Sequence, residues 1–324
     1  MTGEDWLEAL RAGGKAALAR ALAAVAAEAE NPEVVALLDA AFGASKGHVV
    51  GITGPPGVGK STLVAALIEA CRDRGETMGV IAVDPSSRRR GGALLGDRTR
   101  ILHDPEDKGL FVRSMAARDQ LGGLAALTMP ALVLMRALFD RVIVETVGVG
   151  QSETTIGDVA DTVVFAVQPA SGDSLQFMKA GIVEVPHLAV VTKADMGGPA
   201  ERAARELEAG LALAEPEDDW SVGVRLVAAP DGRGIEELVA DLDRHRSSLA
   251  DLNVRRRAQA GLWLRRQLQD LYGRRGAAQL EAQGRLPAAP ERPFAVYAEL
   301  SATLDAKLRS TQSGTQGATV ASPA

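Results

Sequence analysis

Val49-Val50-Gly51-Ile52-Thr53-Gly54-Pro55-Pro56-Gly57-Val58-Gly59-Lys60-Ser61-Thr62-Leu63-Val64-Ala65-Ala66-Leu67 is the stretch that decides the fold. An apolar, β-branched run leads into Gly54–Ser61, which has the form G-x-x-x-x-G-K-[ST], and a helix-forming run follows. Strand, loop and helix in that order are what a phosphate-gripping loop requires. The glycines let the backbone turn tightly and aim its N–H groups inward as an anion nest. Lys60 is placed to bridge β- and γ-phosphates, and Ser61 offers a hydroxyl to Mg²⁺. The helix beginning near Lys60 adds the partial positive charge of its N-terminus.

Outward from this loop, short β-branched runs alternate with helical segments. The strands expected are His48–Thr53, Gly79–Asp84, Arg141–Glu145, Thr162–Val167, His187–Thr192 and Arg225–Ala228; helices are expected at Lys60–Arg74, Leu121–Phe139 and Glu201–Leu213. This alternation predicts an α/β fold of the P-loop NTPase type, with a mostly parallel sheet flanked by helices. Residues 1–46 read as an N-terminal helical arm, with Leu18, Leu22, Val25, Val34, Leu37 and Leu38 at helical spacing. Residues 47–240 hold the nucleotide domain, 241–308 a C-terminal helical arm and 309–324 a Ser/Thr/Gly/Gln-rich tail expected to lack order. Arg244 to Arg275 carries nine arginines against Asp251 and Asp270, which reads as a solvated or subunit-contacting face.

Composition bounds the rest. At 324 residues and 46% hydrophobic, the chain can bury a sizeable core, and with 3% aromatics that core must be largely aliphatic. A net charge of −6 gives no general reason to expect nucleic-acid binding. Cys71 is the single cysteine, which fits a reducing compartment, and no signal peptide or membrane span is evident, so the expected location is cytoplasmic.

Two further groups of residues surround the loop. The run Val142-Ile143-Val144-Glu145 ends in a carboxylate, with Gly148 three residues on. In this setting the carboxylate orients Mg²⁺, directly or through a water, and the Gly148 N–H senses the γ-phosphate. Asp84 ends the second expected strand, and Asp97 sits in the loop Gly91–Arg98. Both can join the metal and water network; either serves equally as a helix or turn cap. Thr192-Lys193-Ala194-Asp195 follows an apolar strand and has the form of the N/T-K-x-D guanine motif. The Asp195 carboxylate can accept from guanine N1–H and the 2-amino group together, a pair adenine does not offer. The Lys193 stem can lie along the base. Ala228-Ala229 stands where a Ser-Ala pair commonly backs the guanine carbonyl, and the Ala229 N–H can still serve. The nucleotide-contacting set is therefore Gly54, Pro55, Gly57, Val58, Gly59, Lys60, Ser61, Thr62, Gly148, Lys193, Asp195, Ala228 and Ala229.

Gly54–Thr62, Val83–Ser87 with Gly91–Arg100, the block Glu145-Thr146-Val147-Gly148-Val149-Gly150-Gln151-Ser152-Glu153, and Gly172–Gly181 together resemble the MeaB/ArgK family over roughly residues 10–275. The resemblance implies a GTP-hydrolysing chaperone, using GTP/GDP and Mg²⁺, for an adenosylcobalamin-dependent acyl-CoA mutase, with a homodimer held partly by the C-terminal arm. It implies that Lys60, Asp97 and Glu145 are catalytic, that Ser61, Asp84, Asp97 and Glu145 surround Mg²⁺, and that Gly172–Lys179 is an additional switch. Arg88-Arg89-Arg90, Ser174 and Phe177-Met178 depart from the usual pattern, and the partner stays open among methylmalonyl-, ethylmalonyl-, isobutyryl- and hydroxyisobutyryl-CoA mutases. Three other readings stay open beside it: a metal-insertion GTPase, for which His48, His103, His187 and His245 are scattered; an ATP-dependent kinase; and a nucleotide-binding module without turnover.

Overall fold

Val49 and Val50 are both fully buried, yet neighbouring residues of a strand point to opposite faces, so the sheet holding them is covered on both sides. The computed structural model describes residues 1–85, 104, 106–117, 127–146, 156–169, 186–212 and 220–316. Its strands are β1 (His48–Thr53), β2 (Met78–Pro85), β3 (Leu110–Ala117), β4 (Arg141–Glu145), β5 (Thr162–Val167), β6 (Leu188–Val191) and β7 (Gly223–Leu226). They form one sheet in the order β3-β2-β4-β1-β5-β6-β7, every neighbouring pair parallel.

The helices are α1 (Gly3–Ala27), α2 (Pro32–Gly43), α3 (Lys60–Asp73), α4 (Thr128–Leu138), α5 (Gly198–Leu211), α6 (Ile235–Ser248), α7 (Leu252–Ala282) and α8 (Pro293–Gln316). One face of the sheet, through Val49, Ile81, Val142, Val144 and Val163, packs on α1, α2 and α4. The other, through Val50, Ile52, Val80, Ile143 and Val164, packs on α3 and α6. Each fully buried Leu of α3, such as Leu63, contributes about 1.5–3 kcal/mol relative to exposure. The α5 helix covers Phe165, Val167, Ala189 and Val191, and α7 packs on α8 through Leu264, Leu268, Leu280, Leu300 and Leu304.

Local chemistry sets the boundaries. At the start of α1, Thr2 accepts from the Asp5 N–H at 3.1 Å and the Asp5 carboxylate accepts from the Thr2 N–H at 3.0 Å, a capping box. Asn31 caps α2 by accepting from the Glu33 N–H at 2.9 Å, with Pro32 at the first helical position.

Several boundaries differ from the sequence expectation. The strand β3 has no counterpart in it, and Arg141–Glu145 is consequently the fourth strand rather than the third. Its apolar residues fall in two short runs, Leu110-Phe111-Val112 and Met115-Ala116-Ala117, split by Arg113 and Ser114, which hides the strand pattern. The expected Leu121–Phe139 helix is described from Thr128 and ends at Leu138. The last strand sits two residues earlier than expected, at Gly223–Leu226. Helix α8 runs to Gln316, into the stretch expected to lack order; Ser, Thr and Gln are tolerated in a helix already begun. Among the described residues no helix is long and apolar enough to cross a membrane. Several α7 arginines carry carboxylate partners within the chain: Arg257 with Glu291, Arg265 with Glu281, Arg266 with Asp158.

Candidate nucleotide site

The chain leaves β1 toward β2 and β3 on one side, returns through β4, then continues to β5 on the other side. The carboxyl ends of β1, β4 and β5 therefore meet where the strand order reverses, the place open parallel sheets reserve for ligands. The Gly54–Gly59 loop leaves β1 here. A β-carbon on Gly54 (φ 140°) would come within 2.1 Å of the Ala166 carbonyl oxygen, so only glycine lets the loop lie against β5. Gly57 and Gly59, at φ 79° and 96°, supply the left-handed turns that end at the first residue of α3.

Lys60 is buried and folds back over the loop, its ammonium donating to the carbonyls of Gly54 at 2.6 Å and Pro55 at 2.9 Å. These acceptors are neutral, so a phosphate oxygen would compete for the ammonium with advantage. Ser61 Oγ donates to Glu145 Oε1 at 2.7 Å. In the sheet Glu145 pairs with Ile52 on one side and Ala82 on the other, which sets its carboxylate beside the start of α3. Pro56, Gly57, Gly59, Lys60, Ser61, Thr62, Ala82, Val83, Glu145 and Thr146 line a cleft of about 390 Å³, within the range of small-ligand pockets.

The Thr192–Asp195 segment closes the far side. Thr192 Oγ1 lies 2.6 Å from the Val58 carbonyl and 3.0 Å from that of Val167; its one proton serves one of them at a time. Lys193 is exposed and left-handed at φ 53°, with its ammonium 3.4 Å from the Gly57 carbonyl and bonded to Gln168 Oε1. The Ala194 N–H donates to the Val227 carbonyl at 3.1 Å, fixing the segment beside Ala228 and Ala229, and Asp195 is exposed. The structure thus gathers Gly54, Pro55, Gly57, Val58, Gly59, Lys60, Ser61, Thr62 and Glu145 with Lys193 at one edge of the sheet, while Ala228 is fully buried behind it. Asp84 is the penultimate residue of β2, but its side chain is outside the described residues. Asp97, Gly148, Gln151, Glu153, Arg88–Arg90 and Gly172–Lys179 lie outside them entirely. Sequence reasoning passed over Gln168; its position directly after a parallel strand at the reversal point was the available signal.

Histidines scattered in the sequence gather at the opposite edge. His48 Nε2 and His245 Nδ1 each lie 2.7 Å from Thr162 Oγ1, and the His187 and His245 rings are 4.3 Å apart. Burial pushes His48 down to about 3, with Arg141, Arg246 and His245 adding to the effect against Asp161. Burial, then His245 and Arg255, take His187 down to about 3 as well. One nitrogen of each ring meets a protein group, the Thr162 hydroxyl for His48 and His245 and the Val163 N–H for His187, whose Nε2 lies 3.2 Å from Arg255 Nη2; among the described residues no group of three or more His, Cys, Asp or Glu converges on a metal-sized space.

A phosphate loop opening onto a hydroxyl–carboxylate pair, with a T-K-x-D segment bonded to the loop's own carbonyls, defines the class: a P-loop GTPase. Comparison with known proteins narrows this. Residues 18–280 match the family described as Methylmalonyl Co-A mutase-associated GTPase MeaB, and the chain belongs to that family. It is 39% identical over 265 residues to a protein named Probable GTPase from Mycobacterium tuberculosis, covering 79% of each. It is 36% identical over 222 residues to the mitochondrial methylmalonic aciduria type A homolog of Mus musculus, covering 66% of this chain and 54% of that one. A crystal structure described as LAO/AO transport system kinase superposes with a TM-score of 0.64 at 27% identity, covering 94% of this chain and 97% of that one.

Proposed function

We propose that this GTPase is a chaperone for an adenosylcobalamin-dependent acyl-CoA mutase, binding the mutase and gating the loading, protection or reactivation of its cofactor. The observation that carries the reading is the match to mutase-associated GTPases, which runs through the whole nucleotide site and on into α7. The name of the mouse relative points the same way.

The residues do the following in this reading. Lys60 exchanges the Gly54 and Pro55 carbonyls for β- and γ-phosphate oxygens. The hydroxyl of Ser61 and the carboxylate of Glu145, already 2.7 Å apart, are the hard oxygen donors that suit Mg²⁺. Mg²⁺ held there would neutralise charge on the phosphates. Asp84 and Asp97 complete that shell, Gly148 donates its N–H to the γ-phosphate, and Asp195 reads guanine with Lys193 along the base and Ala228-Ala229 behind it. Residues 47–240 act as the GTPase domain, 1–46 and 241–308 as helical arms, the latter holding a cytoplasmic homodimer, and 309–324 as a tail.

Calorimetric titration with GDP and ADP in Mg²⁺, followed by GTP turnover with candidate mutases added, tests this. The expected result is GDP preferred over ADP, with turnover raised by one mutase. Asp195→Asn is expected to lower GDP affinity about 10–100-fold, the loss of a charged acceptor. Preference for ADP would favour a kinase, the activity for which the structurally similar LAO/AO protein is named; turnover indifferent to every mutase would sink the chaperone role.

A further inference from the structure

Lys193 is the one non-glycine residue with positive φ among the described residues. A left-handed lysine is strained and persists only where its surroundings over-determine it. The backbone on either side is fixed: the Thr192 N–H donates to the Val167 carbonyl at 2.9 Å, and the Ala194 N–H to the Val227 carbonyl at 3.1 Å. The side chain, however, is long and exposed, and an exposed lysine ordinarily samples many rotamers. Here its ammonium is held at two points, by Gln168 Oε1 and, more loosely at 3.4 Å, by the Gly57 carbonyl. Gln168 is half-buried and follows Val167, whose carbonyl carries the Thr192 contacts, so its own backbone is anchored to the same junction.

We infer that Gln168 is a positioning residue for guanine recognition: by holding the Lys193 ammonium against the phosphate loop, it lays the lysine stem where the base must rest. The inference rests on the guanine reading of Thr192–Asp195. It adds a residue outside both motifs, and it predicts that base affinity and phosphate affinity separate when that residue changes. Gln168→Ala frees the lysine stem and leaves Lys60, Ser61 and Glu145 untouched. Gln168→Glu keeps an acceptor for the ammonium and makes the contact ionic.

The test uses the full chain and two ligands, GDP and inorganic tripolyphosphate, the second measured by competition against a fluorescent guanine nucleotide. Gln168→Ala is expected to weaken GDP about tenfold, the effect of one charge-assisted hydrogen bond, with tripolyphosphate affinity unchanged. Gln168→Glu is expected to restore GDP affinity to at least the wild-type level. Equal weakening of GDP and tripolyphosphate would mark a general loop defect and overturn the inference, as would wild-type GDP binding in Gln168→Ala or failure of Gln168→Glu to restore it. If the wild-type chain itself prefers ADP, the guanine reading falls, and the inference with it, before any variant is compared.

Discussion

The two edges of the sheet are built from opposite kinds of polar contact. At the carboxyl edge, cationic and hydroxyl side chains rest on neutral backbone carbonyls: Lys60 on Gly54 and Pro55, Thr192 on Val58, Lys193 on Gly57. At the amino edge, charge meets charge in the dry interior. Arg256 of α7 holds both oxygens of Asp161, at 3.0 and 2.6 Å, and donates to the carbonyls of Ser45 and Gly47 at 3.1 and 2.6 Å. Asp161 is wholly buried and also accepts from the Val49 N–H at 2.8 Å. Its carboxyl stays below the ordinary range although burial alone would raise it, because the Arg256 guanidinium is bonded to it. Of the first kind, the Lys60 contacts can be traded for a ligand's phosphates. Those of the second kind have no better alternative and act as a fixed clamp between the sheet, the α2–β1 connection and the C-terminal helices.

That contrast can be broken from either side. The largest effect is expected from Arg256→Leu, which leaves the Asp161 charge buried without its partner. Chemical denaturation should show a loss of about 3–5 kcal/mol, while the folded fraction still binds GDP; unaltered stability would refute the clamp. Lys60→Ala should do the reverse. Its stability should stay near wild type because the acceptors it leaves are neutral carbonyls beside the cleft, but turnover should fall about 10²–10³-fold, the usual loss of one preorganised charge donor. Normal turnover would remove Lys60 from the phosphate site.

The smallest effect comes from acid. His48 and His187 stay neutral in the folded chain down to about pH 3, whereas unfolding returns each to a value near 6.5. The unfolded chain therefore binds more protons between these limits, so stability present above 6.5 is lost as pH falls toward 3. Each histidine should cost about 1.4 kcal/mol on going from neutral pH to about pH 5.5. Melting temperatures measured across this range should fall in wild type and fall less in His187→Gln; parallel curves would show that His187 does not couple to folding.

The same contrast explains what could be read in advance. The carboxyl edge is written in local strings, because a tight glycine turn, an adjacent lysine and a strand-ending carboxylate must each sit within a few residues of the ligand. Hence β1, β4 and β5 matched the expected bounds residue for residue, and Ser61 and Glu145 met. The amino edge has no such string. Asp161 and Arg256 are separated by 95 residues and His48 and Thr162 by 114, so neither pair leaves a periodicity or motif. The Arg244–Arg275 run read as a solvated or subunit-contacting face; the side chains of Arg257, Arg265 and Arg266 reach solvent on the chain, but Arg256 is buried and faces inward. Strand β3 was missed because Arg113 and Ser114 break its apolar run, whereas β7, also at a sheet edge, was found within two residues.

The clamp also orders events during synthesis. Ser45, Gly47 and Asp161 emerge from the ribosome long before Arg256, which stands 211 residues beyond Ser45. Until α7 is made, the sheet carries an unneutralised carboxylate at its base, and water or a proton must attend it. The nucleotide loop ends at residue 61 and its packing partners Ala166 and Thr192 also precede Arg256, so every residue that places the loop is made before the clamp can close.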